Sequence, residues 1–162
     1  MKDIKIRRDQ GKIEKRIIKE YEKIVGYKFP IHYINLISKH NGLRLKERNT
    51  FKYYDEVVKR EEENGIYFYA FANENLDPLY CDGIVGDFSY IDENDFPKGV
   101  FPFGGTGNGD YICFDYRKDL KTNNPKIVLL HHDAPDIDNN LIISFLSNSF
   151  EEFMDSLYDY KE

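Results

Sequence analysis

Several patterns in the chain could do chemistry, and the glycine-rich run from Gly104 to Gly109 is the first of them. Glycine-rich loops often hold phosphate groups through their backbone N–H groups. Such a phosphate-binding loop continues through Gly-Lys-Ser/Thr into a helix, because the helix N-terminus and the lysine hold the phosphates. This run instead leads into Asp110 and a β-prone segment, with no lysine between Gly99 and Arg117. The pattern therefore predicts a hairpin turn and no phosphate site.

The run His131-His132-Asp133 contains three side chains of the kind that bind metals. Adjacent residues of a strand point to opposite faces, so both histidines cannot readily bind one ion. The other histidines, His32 and His40, lie two helical turns apart without an HExxH-type partner. The sequence therefore predicts no metal site and no other cofactor.

The remaining candidates for catalysis, a cysteine and two aspartates, are better explained by structural roles than by catalytic ones. Cys113 lies inside an apolar segment, which favours packing over nucleophilic chemistry. Asp110 and Asp115 are five positions apart on one predicted strand and face opposite sides, which disfavours a paired-carboxylate acid–base site. We therefore predict no catalytic residues and a protein that is not an enzyme.

The composition is that of one folded domain. Of 162 residues, 41% are apolar and 32% are charged, which excludes a disordered chain. No run approaches 18 apolar residues, and the N-terminus lacks the apolar core of a signal peptide. Two cysteines without CxxC spacing indicate reduced thiols. We expect a cytoplasmic protein without a membrane partner.

The net charge of −6 conceals an asymmetry along the chain. Residues 1–60 carry 17 Lys/Arg and 8 Asp/Glu, whereas residues 61–162 carry 6 Lys/Arg and 21 Asp/Glu. An acidic surface built from the second part favours a basic partner and argues against nucleic-acid binding there. Ordinary solubilising charge is the alternative explanation.

Helical spacing dominates the first part of the chain. We predict that residues 1–12 form a polar extension that is frayed or loosely packed. A single domain should follow over 13–160. Apolar residues recur at helical spacing over 13–25, and Gly26 suits the C-cap. A second helix should begin near Pro30 and end before Asn41-Gly42.

The later part predicts strands and a closing helix. Strands are expected at 66–72, 100–103, 110–116 and 127–132, with a short strand at 51–54 and a strand edge at 83–86. Residues 55–63 suit either a charged helix or a long loop, and 133–140 an acidic loop. Ser147 or Ser149 should cap a helix that contains Phe150, Phe153, Met154, Leu157 and Tyr158. The order predicts an α+β fold: two N-terminal helices, a curved antiparallel or mixed sheet, and a C-terminal helix packed on it.

These signals together resemble the SUKH superfamily, named in part for the yeast Smi/Knr regulators. The matching features are a helix, a glycine, a hydrophobic-Pro-x-x-Tyr step, a second helix and Asn-Gly over 13–42. Val-Phe-Pro-Phe-Gly, Gly-Asn-Gly-Asp-Tyr-Ile-Cys-Phe-Asp and Ser-Phe-Glu-Glu-Phe-Met-Asp-Ser-Leu follow later, so the resemblance covers about 13–158. The motif residues are Pro30, Tyr33, Asn41, Gly42, Gly104, Gly107, Gly109, Asp110 and Asp115.

The resemblance implies a compact α+β domain that acts by binding other proteins. Most bacterial members are thought to be immunity proteins that neutralise toxins, often nucleases. Some eukaryotic members are regulators that act as interaction scaffolds, which is the alternative function here. We expect a cognate protein toxin as partner, and a monomer or weak dimer.

The expected partner-binding residues combine acidic runs with aromatic anchors. An acidic inhibitor can block a basic nuclease cleft while electrostatic steering accelerates capture. Aromatic side chains are the anchors that interface centres favour. The candidates are Tyr80, Tyr90, Asp92, Glu93, Asp95, Phe96, Asp133, Asp136 and Asp138. The run Glu61-Glu62-Glu63 is a further acidic candidate.

Overall fold

The computed structural model describes residues 3–72 and 96–160, in which the chain forms three helices and nine strands. The helices are α1 (Lys15–Val25), α2 (Ile31–Ile37) and α3 (Phe150–Ser156). The strands are β1 (Ile6–Arg8), β2 (Arg44–Leu45), β3 (Thr50–Asp55), β4 (Arg60–Gly65), β5 (Tyr67–Phe68), β6 (Val100–Gly105), β7 (Tyr111–Asp115), β8 (Lys126–Pro135) and β9 (Leu141–Ser147). The predicted α+β fold is confirmed. None of the described helices is long and apolar enough to cross a membrane.

The largest sheet has five antiparallel strands, arranged in chain order from β5 to β9. From β6 to β9, short connections between consecutive antiparallel strands produce this order. The hairpin of β6 and β7 places Phe101 opposite Phe114 and Gly105 opposite Tyr111. The pairs β1–β2 and β3–β4 form two further antiparallel sheets. The predicted hairpin around the glycine-rich run is therefore confirmed.

The first two helices begin and end close to their predicted bounds. Gly26 ends α1 with a φ of 81°, and its N–H donates to the Glu22 carbonyl at 3.0 Å. Glycine adopts this left-handed conformation at little cost. Pro30 is the N-cap residue of α2, and its carbonyl accepts the Ile34 N–H at 3.0 Å. Gly26 and Pro30 thus delimit the connection between the helices, as predicted.

The last helix begins at its predicted cap but ends earlier than the apolar spacing suggests. The Ser149 hydroxyl accepts a backbone N–H at 3.1 Å and caps α3. The Arg48 guanidinium donates to the carbonyls of Met154 and Leu157 at 2.9 and 3.0 Å. Because these carbonyls are satisfied by a side chain, no further helical turn is needed. Leu157 is extended, and Tyr158 pairs with β3.

Aromatic rings from the sheet and from two helices form the main core. Phe103 and Phe114 stack with their ring centroids 4.2 Å apart. Tyr33 from α2 packs edge-on against Phe114 at 5.1 Å, and Phe150 from α3 against Phe103 at 5.8 Å. All four side chains are buried. This face of the sheet is therefore sealed by α2 and α3.

The hydroxyl of Tyr33 is buried without a hydrogen-bond partner in the described structure, and burial raises its pKa. An unsatisfied buried polar group costs stability, because it loses its bonds to water. We expect Tyr33→Phe to raise the free energy of unfolding by about 1 kcal/mol. Urea unfolding followed by circular dichroism measures the change.

Tyr116 offers the matched control, because its hydroxyl donates to the Lys28 carbonyl at 2.7 Å. Tyr116→Phe removes the same atom but breaks this bond, so stability should fall by about 1 kcal/mol. Loss of stability in both variants would show that the Tyr33 hydroxyl is satisfied in solution.

The prediction of a helix or long loop over 55–63 is wrong. The Asp55 carboxylate accepts the N–H groups of Val57 and Val58 at 2.8 and 3.1 Å, which forms a tight turn. The chain then continues as β4, in which Glu63 lies opposite Lys52 of β3. The acidic run of β4 thus belongs to a paired strand, where opposite charges face each other across the hairpin.

The expectation of a frayed or loosely packed N-terminal extension is also wrong. Strand β1 pairs with β2, with Ile6 opposite Leu45. The Gln10 N–H donates to the Asn41 carbonyl at 2.8 Å, and the Asn41 N–H to the Gly11 carbonyl at 2.9 Å. These backbone bonds attach residues 6–11 to the segment that follows α2.

Strand β9 was not predicted, and the acidic loop over 133–140 is shorter than expected. Ser144 and Ser147 are the buried positions of β9, whereas Phe145 is half exposed. This inverts the usual alternation of apolar and polar residues on a half-buried strand. Strand β8 continues through residues 133–135, so the loop covers only 136–140.

Two other strand predictions fare differently. The strand expected over 66–72 is present only as β5, and the short strand at 51–54 is confirmed as part of β3. The strand edge expected at 83–86 lies outside the described residues.

Candidate protein-binding surface

The loop between β8 and β9, which we call the acidic tip (residues 136–140), is held by its own hydrogen bonds. Oδ1 of Asp136 accepts the N–H groups of Asp138 and Asn140, both at 2.9 Å. The Asp136 N–H donates to the Asn140 carbonyl at 2.7 Å, and Asn139 has a φ of 64°. An aspartate that accepts nearby backbone N–H groups is a common way to fix a turn. The acidic tip is therefore organised by Asp136, whose carboxylate has a structural role.

Ile137 is the most exposed large apolar side chain at this surface. It is 100% exposed at the end of the acidic tip, between Asp136 and Asp138. An exposed isoleucine leaves its apolar area in contact with water. Binding to a partner would bury this area, which is favourable. Ile137 was not among the predicted partner-binding residues. An isolated isoleucine between turn-forming aspartates was the available signal.

The structure brings some of the predicted partner-binding residues together. Asp133, Asp136 and Asp138 lie at one end of the β8–β9 hairpin and are exposed. Phe96 packs edge-on against Tyr111 with centroids 5.2 Å apart. The other candidates, Tyr80, Tyr90, Asp92, Glu93 and Asp95, lie outside the described residues.

Phe96 belongs to the outer face of the five-stranded sheet, opposite the aromatic core. Val100, Cys113, Val128 and Leu130 are buried there, with Phe96, Tyr111, Leu141 and Ile143 packed against them. Burial raises the pKa of the Cys113 thiol, and nearby Asp115 raises it further. The thiol is therefore protonated at neutral pH, as expected of a packing residue.

A groove runs beside the acidic tip along β8 and β9. Its apolar part includes Leu141, Ile143 and the half-exposed Phe145. Charges of both signs surround it: Glu56, Asp115 and Asp136 with Lys59, Arg117, Lys118 and Lys126. The groove is therefore mixed in charge, unlike the acidic tip beside it. An apolar centre with a polar rim is the usual composition of a protein interface.

The run Glu61-Glu62-Glu63 lies on β4 and not in a loop. Glu62 pairs with Arg60, and Glu63 accepts a hydrogen bond from the Tyr158 hydroxyl. Charged side chains on a short outer strand also discourage pairing with other chains. Glu62 and Glu63 are therefore explained by contacts within the fold.

A buried polar cluster around His131 was not predicted. Nε2 of His131 lies 2.8 Å from Oγ of Ser144, and Nδ1 lies 3.7 Å from Asp110 Oδ2. These are the residue types of a Ser-His-Asp triad. Here, however, Ser144 is 0% exposed and its oxygen accepts the Glu56 N–H at 3.0 Å. The cluster joins β8, β9 and the turn before β7 to the turn after β3.

His131 and His132 face opposite sides of β8, as predicted, yet both approach Asp110. His131 is buried, whereas the His132 ring is partly exposed and its Nδ1 lies 2.8 Å from Asp110 Oδ1. Asp110, His132 and Asp133 have ligand-type atoms within 4.8 Å of one another. They are the described residues that could hold a metal ion.

Asp55 lies on the other side of His131, with Oδ1 3.9 Å from Nε2. Burial of this carboxylate raises its pKa. The hydrogen bonds from the N–H groups of Val58 and Val57, together with the nearby His131, lower the pKa by more than burial raises it. The net pKa is below the usual value. Asp55 therefore stabilises the fold above about pH 4, and this contribution is lost as the pH falls through the lowered pKa.

The family-motif residues hold close backbone approaches. The Asn41 amide bonds both the N–H and the carbonyl of Phe71, each at 2.8 Å. A Cβ on Gly42, whose φ is 60°, would lie 2.9 Å from the Ala70 Cβ. A Cβ on Gly104 would lie 2.5 Å from the Tyr67 carbonyl oxygen, so β5 could not pair there.

The glycine-rich turn is closed by Thr106 and Asn108. The Thr106 N–H donates to the Asp110 carbonyl at 3.0 Å, and Asn108 Nδ2 to the Asp110 carboxylate at 3.0 Å. Asp115 instead forms two bonds at 2.8 Å with the Arg117 guanidinium. The turn residues therefore position Asp110 beside the histidines.

The comparison with protein families matches residues 12–156 to one family, described as the SMI1 / KNR4 family (SUKH-1). The comparison with curated proteins gave no match. The matched segment contains all three helices and β2 to β9. It also contains Asn41, which bonds the Phe71 backbone, and Gly104, which lies close to the Tyr67 carbonyl. The turn that positions Asp110 lies within it as well. The chain therefore belongs to the SMI1/KNR4 family (SUKH-1).

Proposed function

We propose that this protein is a bacterial immunity protein that binds and neutralises a cognate protein toxin stoichiometrically, without catalysis. Membership of a family whose bacterial members are mostly thought to be immunity proteins supports this function. The observation that carries the choice of docking element is the fully exposed Ile137 on the fixed, acidic tip. The tip is the docking element.

Docking through the tip is favourable because it is already ordered. Binding usually costs free energy to immobilise loops and side chains. Asp136 fixes the loop backbone before any partner arrives, so little of this cost remains. Ile137 then acts as the anchor that enters an apolar pocket of the toxin.

The charges beside the anchor favour a toxin with a basic cleft, such as a nuclease. Asp133 and Asp138 are exposed, and within the described residues Asp138 forms no ion pair. Exposed carboxylates at an interface edge steer a basic partner and raise the association rate at low salt. Their effect should be on the association rate, whereas that of Ile137 should be on the dissociation rate.

Co-expression with the toxin domain encoded immediately upstream tests the function. The protein should restore growth and form a one-to-one complex with the toxin. Absence of both rescue and complex would overturn the proposal and leave a regulatory scaffold as the function to test.

Variants of the tip test the docking element within that complex. Ile137→Ala should raise the dissociation constant by about 30-fold, as expected of an interface hot spot of about 2 kcal/mol. Ile24→Ala is the matched control, because Ile24 is 77% exposed on α1. Reversing the charges of Asp133 and Asp138 should slow association at low salt. If all these variants rescue growth with unchanged association and dissociation rates, the docking surface lies elsewhere and the immunity function still stands.

A further inference from the structure

The His132 ring is held in one orientation by its contacts with Asp110 and Gly109. Its Nδ1 lies 2.8 Å from Oδ1 of Asp110, and the His132 backbone N–H donates to the same oxygen at 3.0 Å. The ring also lies against Gly109, where an added Cβ would come within 3.3 Å of Cε1. Asp110 is buried, so the hydrogen bond is protected from water. The structure therefore fixes the direction in which the opposite ring nitrogen points.

That opposite nitrogen, Nε2, is available as a ligand. An ionised carboxylate only accepts hydrogen bonds, so Nδ1 carries the proton and a neutral His132 ring has its lone pair on Nε2. Nε2 lies 3.8 Å from Oδ2 of Asp133, which is 77% exposed and able to rotate. Both side chains border a pocket of about 280 Å³ that Asn139 and Pro97 also line. Water molecules can therefore reach Nε2 and Asp133.

We propose that His132 Nε2 and Asp133 bind a divalent transition-metal ion of the Zn²⁺ class, with Asp110 as the positioning residue. Imidazole nitrogen and carboxylate oxygen are ligands that Zn²⁺ accepts, and water completes the coordination. A metal-binding histidine typically donates its other N–H to a carboxylate, as His132 does here. This site does not depend on a toxin partner.

The surrounding charge favours a cation. Asp110 and Asp133 contribute two carboxylates, and within the described residues their ion pairs are only with His131 and His132. His131 does not compete as a ligand, because its Nε2 is bonded to the buried Ser144. The two proposed ligand atoms, His132 Nε2 and Asp133 Oδ2, already lie 3.8 Å apart. Only the exposed Asp133 must move to bind an ion.

Calorimetric titration of the full chain with Zn²⁺ tests this site. We expect one saturable site, abolished by His132→Gln and weakened at least 10-fold by Asp133→Asn. His32→Gln is the matched control, because His32 also pairs with a carboxylate, Glu151 at 3.1 Å, on the surface. Circular dichroism establishes that each variant is folded. Binding in His32→Gln should equal that of the parent protein.

Paramagnetic Co²⁺ gives a local measurement by NMR. Amide signals of residues 109–110 and 132–134 should broaden first, before those around His32. Absence of saturable Zn²⁺ binding, or equal binding by His132→Gln, would overturn the proposal. Loss of binding in His32→Gln, or first broadening around His32, would overturn it as well.

Discussion

Asp110→Ala should lower the free energy of unfolding by about 3 kcal/mol, as expected when one member of a buried charged cluster is removed. Its carboxylate accepts three hydrogen bonds, from His132 N–H, His132 Nδ1 and Asn108 Nδ2, at 2.8 to 3.0 Å. It also lies 3.7 Å from the buried His131. Alanine leaves these donors without an acceptor and opens the turn between β6 and β7. Domains are stable by only about 5–15 kcal/mol, so the loss is large.

Urea unfolding at pH 7 measures this effect against two control variants. Asp110→Asn keeps one carbonyl oxygen and should lose about half as much stability, because a neutral acceptor makes weaker bonds. Asp138→Ala removes an exposed carboxylate from the acidic tip and should change stability by less than about 0.5 kcal/mol. Equal unfolding midpoints for Asp110→Ala and Asp138→Ala would mean that Asp110 does not join the turn before β7 to β8.

Phe114→Ala should lower the free energy of unfolding by about 3–5 kcal/mol, the usual range for a buried phenylalanine. The ring stacks on Phe103 at 4.2 Å and contacts Tyr33 at 5.1 Å, so its removal opens a cavity between sheet and helices. The surrounding rings include Tyr33 from α2, Phe103 from β6 and Phe150 from α3. Because each element is fixed by its own backbone bonds, the cavity cannot readily collapse.

Phe145→Ala is the matched control, because it removes the same side chain from β9, another strand of the same sheet. Phe145 is 50% exposed and contacts Lys126, with Nζ 5.5 Å from the ring centroid. Its loss should cost less than about 1 kcal/mol, since little buried area disappears. A similar midpoint for the two variants in chemical denaturation would contradict the assignment of Phe114 to the core.

Local signals in the sequence predicted much of the fold. The helices were recognised from apolar spacing, and Gly26 and Ser149 act as the caps expected of their residue types. The hairpin around the glycine-rich run was recognised because glycine and asparagine mark turns. In each case the decisive partners lie within a few residues along the chain.

The missed strands depend on distant partners. Ser144 is buried in β9 because its hydroxyl lies 2.8 Å from His131, 13 positions away. Strand β4 is rich in glutamate, which has low strand propensity, and it is stabilised by pairing with β3. Propensity and periodicity describe one segment at a time, so neither could reveal these pairs.

Only part of the candidate site was predicted, because it too depends on contacts between distant residues. Asp133, Asp136 and Asp138 were selected for their charge, but their different roles depend on hydrogen bonds and exposure. Asp136 binds the loop backbone, whereas Asp138 does not. The orientation of His132 by Asp110 joins residues 22 positions apart. Such geometry becomes visible only after the sheet has assembled.

The way in which Asp136 holds the acidic tip also bears on how binding specificity can change. Its carboxylate bonds backbone N–H groups, so these bonds do not depend on the side chains at positions 137 and 138. Those two positions can therefore be exchanged without loss of the loop shape or of the fold beneath it. A surface of this kind can acquire a new partner through one or two substitutions, and stability would place little constraint on its divergence.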